Sequence, residues 1–189
     1  EPIDCGKSGV VAIAGKGEGK VFMIRGDTDA LPVKEEAEVP FKSKNENMHA
    51  CGHDAHTAGL LTAAKVLNDL KGEFDGKVKL LFQPGEEVAQ GALAMIKEGV
   101  MEGVDGIFGL HIWNECEVGK VSVEAGPRMA SANMFKIYVT GKGGHGSLPH
   151  QTVDAVMVSS AMVMNLQSIV SREISPLDPA VVSVGMIKS

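Results

Sequence analysis

The chain has 189 residues, enough for one ordinary domain or two small ones, and its 44% apolar content is that of a water-soluble globular protein. A formal charge of −6, with no basic block, argues against a nucleic-acid partner. No apolar run approaches the roughly 20 residues needed to span a bilayer, no secretory leader is visible, and three cysteines without framework spacing point to a reduced, cytoplasmic setting.

Val10 to Ala14 and Val21 to Arg25 are short β-prone runs. Between them Gly15-Lys16-Gly17-Glu18-Gly19 reads as a hairpin turn, since a strand and not a helix follows the glycines. Asp27-Thr28-Asp29-Ala30-Leu31-Pro32 leaves the second strand as a polar loop. Asp54 is suited to cap a helix running to about Lys71, with Leu60, Ala64, Leu67 and Leu70 as its apolar stripe and Gly72 as its stop. Val78 to Gln83 predicts a strand, broken by Pro84-Gly85. A helix opened by Glu86 and Glu87 then follows, with Ala89, Leu93, Ile96 and Val100 on one face. Gly106 to Leu110 is another strand. This alternation predicts an α/β fold with a mixed, largely parallel sheet, in which ligands gather at the carboxyl ends of strands. After Gly126-Pro127 the pattern changes. Met134 to Thr140 alternates as a strand, a glycine-rich loop holds His145, and a helix from about Thr152 carries Ala155, Val158, Met162, Leu166 and Ile169. Val181 to Ile187 reads as a last strand.

Five of the six histidines fall in two short clusters, and the denser is His49-Ala50-Cys51-Gly52-His53-Asp54-Ala55-His56. Alternate residues of an extended segment share a face, so Cys51 and His53 can address one ion, and thiolate with imidazole suits zinc and similar cations. A Cys/His nucleophile pair is the competing chemistry, and a buried cysteine beside a helix cap is the plain structural one. Glu86 and Glu87 suit a helix N-terminus by charge alone. Adjacent carboxylates also point in different directions, so one can bind a cation while the other accepts a proton from water. His111 follows an apolar strand, where a histidine is more often satisfied within the fold. Asp27 and Asp29 serve as loop caps, as outer supports for ligand histidines, or as direct ligands. His145 stands among glycines that let backbone approach a ligand closely. His49, His56 and His150 read as supporting or surface groups, and Cys5 and Cys116 as structural.

Taken in order, Arg25-Gly26-Asp27-Thr28-Asp29-Ala30-Leu31-Pro32, Met48-His49-Ala50-Cys51-Gly52-His53-Asp54, Gln83-Pro84-Gly85-Glu86-Glu87, Gly109-Leu110-His111 and Gly143-Gly144-His145-Gly146-Ser147-Leu148-Pro149-His150 form a specific set. The set resembles the amidohydrolase branch of the aminoacylase/carboxypeptidase G metallopeptidases, which includes hippurate hydrolases, N-acyl-amino-acid amidohydrolases and plant auxin-conjugate hydrolases. The resemblance implies a zinc-peptidase-like α/β catalytic domain, with residues 1–126 its first segment, and a smaller α/β lid begun by residues 127–189. It implies two divalent ions (zinc, manganese, cobalt or nickel) with Cys51, His53, Glu87 and His111 as ligands. It makes Glu86 the general base, puts Asp27 behind the ligands, and gives His145 a hold on the substrate or its oxyanion. Family members run to about twice this length, and their last ligand histidine follows the lid, whereas no histidine follows His150 here. The chain therefore resembles the front half of such an enzyme.

The expected activity is cleavage of N-acyl amino acids or related carboxylate-bearing amide conjugates, in a cytoplasmic homodimer joined through the lid. Two alternatives stand beside it: a truncated, non-catalytic metal-binding or dimerisation module, and a Cys/His hydrolase.

Overall fold

The computed structural model describes residues 9–189 and the backbone of Ile3 and Asp4; Cys5 lies outside the described residues. Five strands form one mixed sheet: β1 (Ile3–Asp4), β2 (Val10–Lys16), β3 (Val21–Asp27), β4 (Gly76–Gln83) and β5 (Gly106–Gly109). Their order is β1-β2-β4-β3-β5. β2 runs antiparallel to both β1 and β4, and β3 runs parallel to both β4 and β5. Parallel neighbours need crossovers. The helices α1 (His53–Asp69) and α2 (Gly91–Lys97) lie in those crossovers, after β3 and β4 respectively.

Successive residues of a strand face opposite sides of the sheet, and here both sides are covered. Val11, Met23 and Leu81 pack with Met95 of α2 and with Val100 on one side. Ala14 and Leu80 pack with Leu60 of α1 on the other, joined by half-buried Ala12, Ile24, Phe82, Ala64 and Leu67. Each fully buried Leu or Met contributes about 1.5–3 kcal/mol. The two layers hold the carboxyl ends of β3, β4 and β5 at one edge.

The predicted hairpin between β2 and β3 does not form, because β4 lies between them: Lys16 pairs with Gly76 and Val21 with Lys77. A β3 segment that is apolar on both faces gains more from two strand partners and two helix layers than from a hairpin. The connection must then cross about 10 Å, two strand spacings. It passes directly over the start of β4, where the Lys77 amide donates to the Lys20 carbonyl at 3.0 Å. Gly76 (φ +93°) permits this approach, since a Cβ there would lie 2.4 Å from that carbonyl oxygen.

Three helix details differ from expectation. Gly52, in the left-handed region, caps α1, while the Asp54 carboxylate accepts only from the Ala55 amide. Leu70 lies past the last helical turn and is half exposed, so the stripe stops at Leu67. Glu86 and Glu87 sit in a turn ahead of α2, not inside it; the Gly85 carbonyl accepts from the Gln90 and Gly91 amides and closes that turn. Starting the helix at Gly91 moves its inner face to Gly91 and Met95, with buried Val100 just beyond its end, and leaves Leu93 and Ile96 half exposed.

The chain divides into two compact units, Glu1–Glu124 and Ala125–Ser189. In the second, α3 (Ala155–Ser168) starts at Asp154, whose carboxylate accepts from the Val156 and Met157 amides at 2.9 and 3.0 Å. It ends in a π-helical turn, Ile169–Glu173. Of the expected stripe, Ala155, Met162 and Leu166 are half-buried, while Val158 and Ile169 are exposed. The strands predicted at Met134–Thr140 and Val181–Ile187 are not formed: both segments are unpaired, and Phe135, Ile137 and Ile187 are exposed. Alternation defines a face, but a strand also needs a neighbour to accept its hydrogen bonds, and no paired partner for either lies among the described residues.

Candidate metal centre

The loop after β3 begins the site. Asp27, the last residue of β3, is 1% exposed. Its Oδ2 takes a 2.7 Å ion pair from Arg25, and its Oδ1 a 2.6 Å hydrogen bond from His56 Nδ1. Thr57 donates its hydroxyl to the Asp27 carbonyl, and the Thr28 amide donates to the Gln83 carbonyl at the end of β4. Arg25 Nε also donates to Gln83 Oε1, so strand ends and side chains form one lattice. Burial pushes the Asp27 carboxyl up, but the His56 hydrogen bond and the Arg25 guanidinium outweigh it and hold its pKa below the ordinary carboxylate value.

Leu31 and Met48 exchange backbone hydrogen bonds of 3.0 and 2.9 Å, which returns the chain to the strand edge and delivers Cys51 and His53 beside Asp27 and Asp29. Cys51 and His53 do not converge as alternate residues of an extended segment. Gly52 (φ +84°) kinks the chain between them, and a Cβ there would fall 2.3 Å from Ile112 Cδ1. His53 opens α1, is 1% exposed, and lies with Nδ1 3.0 Å from the Asp29 carbonyl. Asp29 Oδ2 accepts from the Glu87 amide at 3.0 Å, so one residue orients both His53 and the Glu86–Glu87 turn.

His53 Nε2 is buried and has no hydrogen-bond partner among the described residues. Around it stand Asp27 Oδ2 at 3.6 Å, Glu87 Oε1 at 3.8 Å and Glu86 Oε2 at 3.9 Å. Cys51 Sγ lies 3.4 Å from His111 Nε2, and donor atoms of Cys51, His53 and His111 all fall within 4.8 Å of one another, as do those of His53, Glu86 and Glu87. Among the described residues no lysine or arginine pairs with Asp29, Glu86 or Glu87. A sulfur, two imidazoles and carboxylates facing a buried, unpaired nitrogen are a donor set for a soft-to-borderline divalent cation. An orphaned buried nitrogen is costly unless something occupies it.

The Cys51 thiol is poorly suited to attack a substrate by itself. Burial, then the charges of Glu87 and Glu86, push its pKa up, whereas a nucleophilic cysteine needs it lowered. Glu86 is the more open of the carboxylate pair, with 42% of its side chain exposed against 22% for Glu87. His145 lies in the second unit, where the Ser147 amide donates to its Nδ1 at 3.2 Å and the Ser147 hydroxyl lies 2.7 Å from the same atom. That leaves the His145 proton on Nε2, facing outward as a donor. The Cys116 thiol donates to the Lys120 carbonyl at 3.5 Å, and its amide donates to the Trp113 carbonyl.

Sequence reasoning undervalued His56, which is 3% exposed and bonded at both nitrogens. The available signal was its spacing: three residues after His53 on a helix, it shares that residue's face. Nothing in the sequence singled out Gln83 as the link between β3 and β4.

Residues 23–186 match the family described as peptidase family M20/M25/M40, and the chain belongs to that family. Among its relatives, it is 48% identical over 94% of its length to an N-acyl-L-amino acid amidohydrolase of Geobacillus stearothermophilus, covering 49% of that protein. It is 46% identical over 94% of its length to an Arabidopsis thaliana IAA-amino acid hydrolase, covering 40% of it. A solved structure of a Staphylococcus aureus protein described as an aminohydrolase superposes with TM-score 0.77 and 40% identity, covering 98% of this chain and 51% of that one. A Bacillus subtilis protein described as a dinuclear metal-binding peptidase superposes with TM-score 0.64 and 44% identity, over 67% of this chain and 37% of that one. The chain thus spans about half the length of the curated relatives it matches. No helix among its described residues is long and apolar enough to cross a membrane.

Proposed function

We propose that this chain carries most of the chemistry of a metal-dependent amidohydrolase that cleaves N-acyl amino acids or related carboxylate-bearing amide conjugates. The observation that carries the reading is His53 Nε2, buried and unpartnered among the Glu86 and Glu87 carboxylates, with Cys51 and His111 close by. Relatives named for amide hydrolysis give it the substrate class. Cys51, His53, Glu87 and His111 are the proposed ligands within a site for two divalent ions, with zinc, manganese, cobalt or nickel as candidates. Such cations, when bound, polarise the scissile carbonyl and lower the pKa of water.

The remaining work falls to side chains. Glu86, the open member of the pair, accepts a proton from water and returns it to the leaving amine. Asp29 holds His53 from behind through its carbonyl, and Asp27 supports the ligand set through His56. His145, with its Nε2 proton facing out, donates to the oxygen that gains charge. We assign residues 127–189 to a lid through which two copies of the whole protein pair, and we expect the protein in the cytoplasm.

Elemental analysis of the purified chain, before and after loading with zinc or manganese, tests the reading. Bound metal that is lost in Cys51→Ser and in His111→Ala supports it. Metal content indifferent to both substitutions overturns the ligand set.

A further inference from the structure

Three imidazoles crowd the centre: the His56 ring centroid lies 5.5 Å from that of His53 and 4.6 Å from that of His111. They are not equivalent. His53 Nε2 has no hydrogen-bond partner and His111 Nε2 faces Cys51, but both nitrogens of His56 are engaged inside the protein. The Ile112 amide lies 3.0 Å from His56 Nε2. A backbone N–H only donates, so Nε2 must accept, and the single ring proton sits on Nδ1, where Asp27 Oδ1 receives it at 2.6 Å. This fixes one tautomer. It also makes the grouping of Asp27, His53 and His56 a poor cation site, since coordination by His56 would orphan a part-buried amide or a buried carboxylate.

What the fixed ring holds is the residue after His111. Ile112 is anchored through its amide to His56, and its side chain lies over Gly52, the residue between Cys51 and His53. The His111 loop otherwise has few supports: His111 is exposed, and Ile112 and Trp113 are 45% and 62% exposed. We propose that His56 is a positioning residue: locked between Asp27 and the Ile112 amide, it props the His111 loop where His111 meets Cys51, and it stays out of the coordination of any ion. The propping stands on the hydrogen bonds alone; only its benefit to a cation rests on the proposed function.

Two substitutions separate the ends of the strut. In His56→Asn the shorter amide keeps a donor near Asp27 and does not reach Ile112. In His56→Gln the longer amide offers Ile112 an acceptor and gives up the short contact with Asp27. Hydrogen exchange of the Ile112 amide is measured in the metal-free chain, with β3 and β4 amides as the control for folding. We expect exchange at least about tenfold faster in His56→Asn, with the strands still protected, and near-wild-type protection in His56→Gln. In a Co2+ titration, affinity falls about 10–100-fold in His56→Asn and follows the Ile112 protection rather than the Asp27 contact. Equal Ile112 exchange in all three proteins overturns the proposal. So does a wild-type His56 whose 15N spectrum shows the proton on Nε2, a readout that needs no variant to fold. Absence of Co2+ binding by the wild type, with the exchange pattern as expected, overturns the metal reading and supports the strut.

Discussion

The inner and outer walls of the candidate centre are built differently. Asp27, His53 and His56 are each at most 3% exposed and sit on secondary structure, at the end of β3 and on the first turn of α1. Cys51, Glu86, Glu87 and His111 are carried by turns and loops and are at least partly open. The inner wall is held by neutral and charged hydrogen bonds already in place, while the outer wall presents carboxylates that no lysine or arginine among the described residues pairs with. On the proposed reading Asp27 and His56 serve the fold, the outer wall serves the chemistry, and His53 serves both, so substitutions on either side of His53 should separate.

The sharpest separation is expected at Glu86. Glu86→Gln, in the whole protein, should lower kcat by about 10²–10⁴-fold while leaving metal content and Tm unchanged, as removal of a general base does; steady-state kinetics beside elemental analysis reads both. Met23, completely buried in β3 among Val11, Leu81, Met95 and Val100, should behave oppositely. Met23→Ala is expected to cost about 2–5 kcal/mol of unfolding free energy in urea, and to lose metal only in step with the fold. Asp29 joins the two walls; Asp29→Ala keeps the carbonyl beside His53 but removes the carboxylate that receives the Glu87 amide, so it should weaken metal binding by about 10–100-fold with a smaller loss of stability. A result in which Asp29→Ala unfolds the chain as Met23→Ala does would erase the distinction.

The smallest effect is expected with acid. The folded Asp27 pKa lies below its unfolded value, so its ionised form stabilises the fold above the unfolded pKa, and this stabilisation is lost as pH falls through the folded one. Asp27→Asn should therefore be less stable than the wild type at pH ~7 and converge toward it below about pH 4. Urea midpoints measured across that range check the direction.

The sequence made the outer wall more legible than its frame. Cys51, Glu86, Glu87 and His111, with His53 of the inner wall, each stand in a short motif, and the fold brings them together. Strand positions followed from Val- and Leu-rich runs, but their neighbours did not: a glycine-rich turn after β2 looks like a hairpin locally, and only the pairing of β4 with both β2 and β3 rules it out. The Glu86–Glu87 turn was read as helix because acidic residues suit a helix start, whereas the Gly85 carbonyl closes a separate turn first. In the second unit, alternating residues at 134–140 and 181–187 define faces without supplying partners. Long-range hydrogen bonds, such as those of Gln83 and His56, have no local signature.

The bridge between Leu31 and Met48 draws the neck of a long excursion shut. Most of residues 32–47 are exposed, and their internal contacts, such as Glu35 with the Ser43 amide, stay within the excursion. The neck fixes the path of the chain into Cys51, while Glu35, Phe41 and Ser43 of the excursion stay beside His49 and Asp54. Length and composition at the tip are free to drift over evolutionary time, and a protease nick there would leave the severed ends still fastened beside the candidate site.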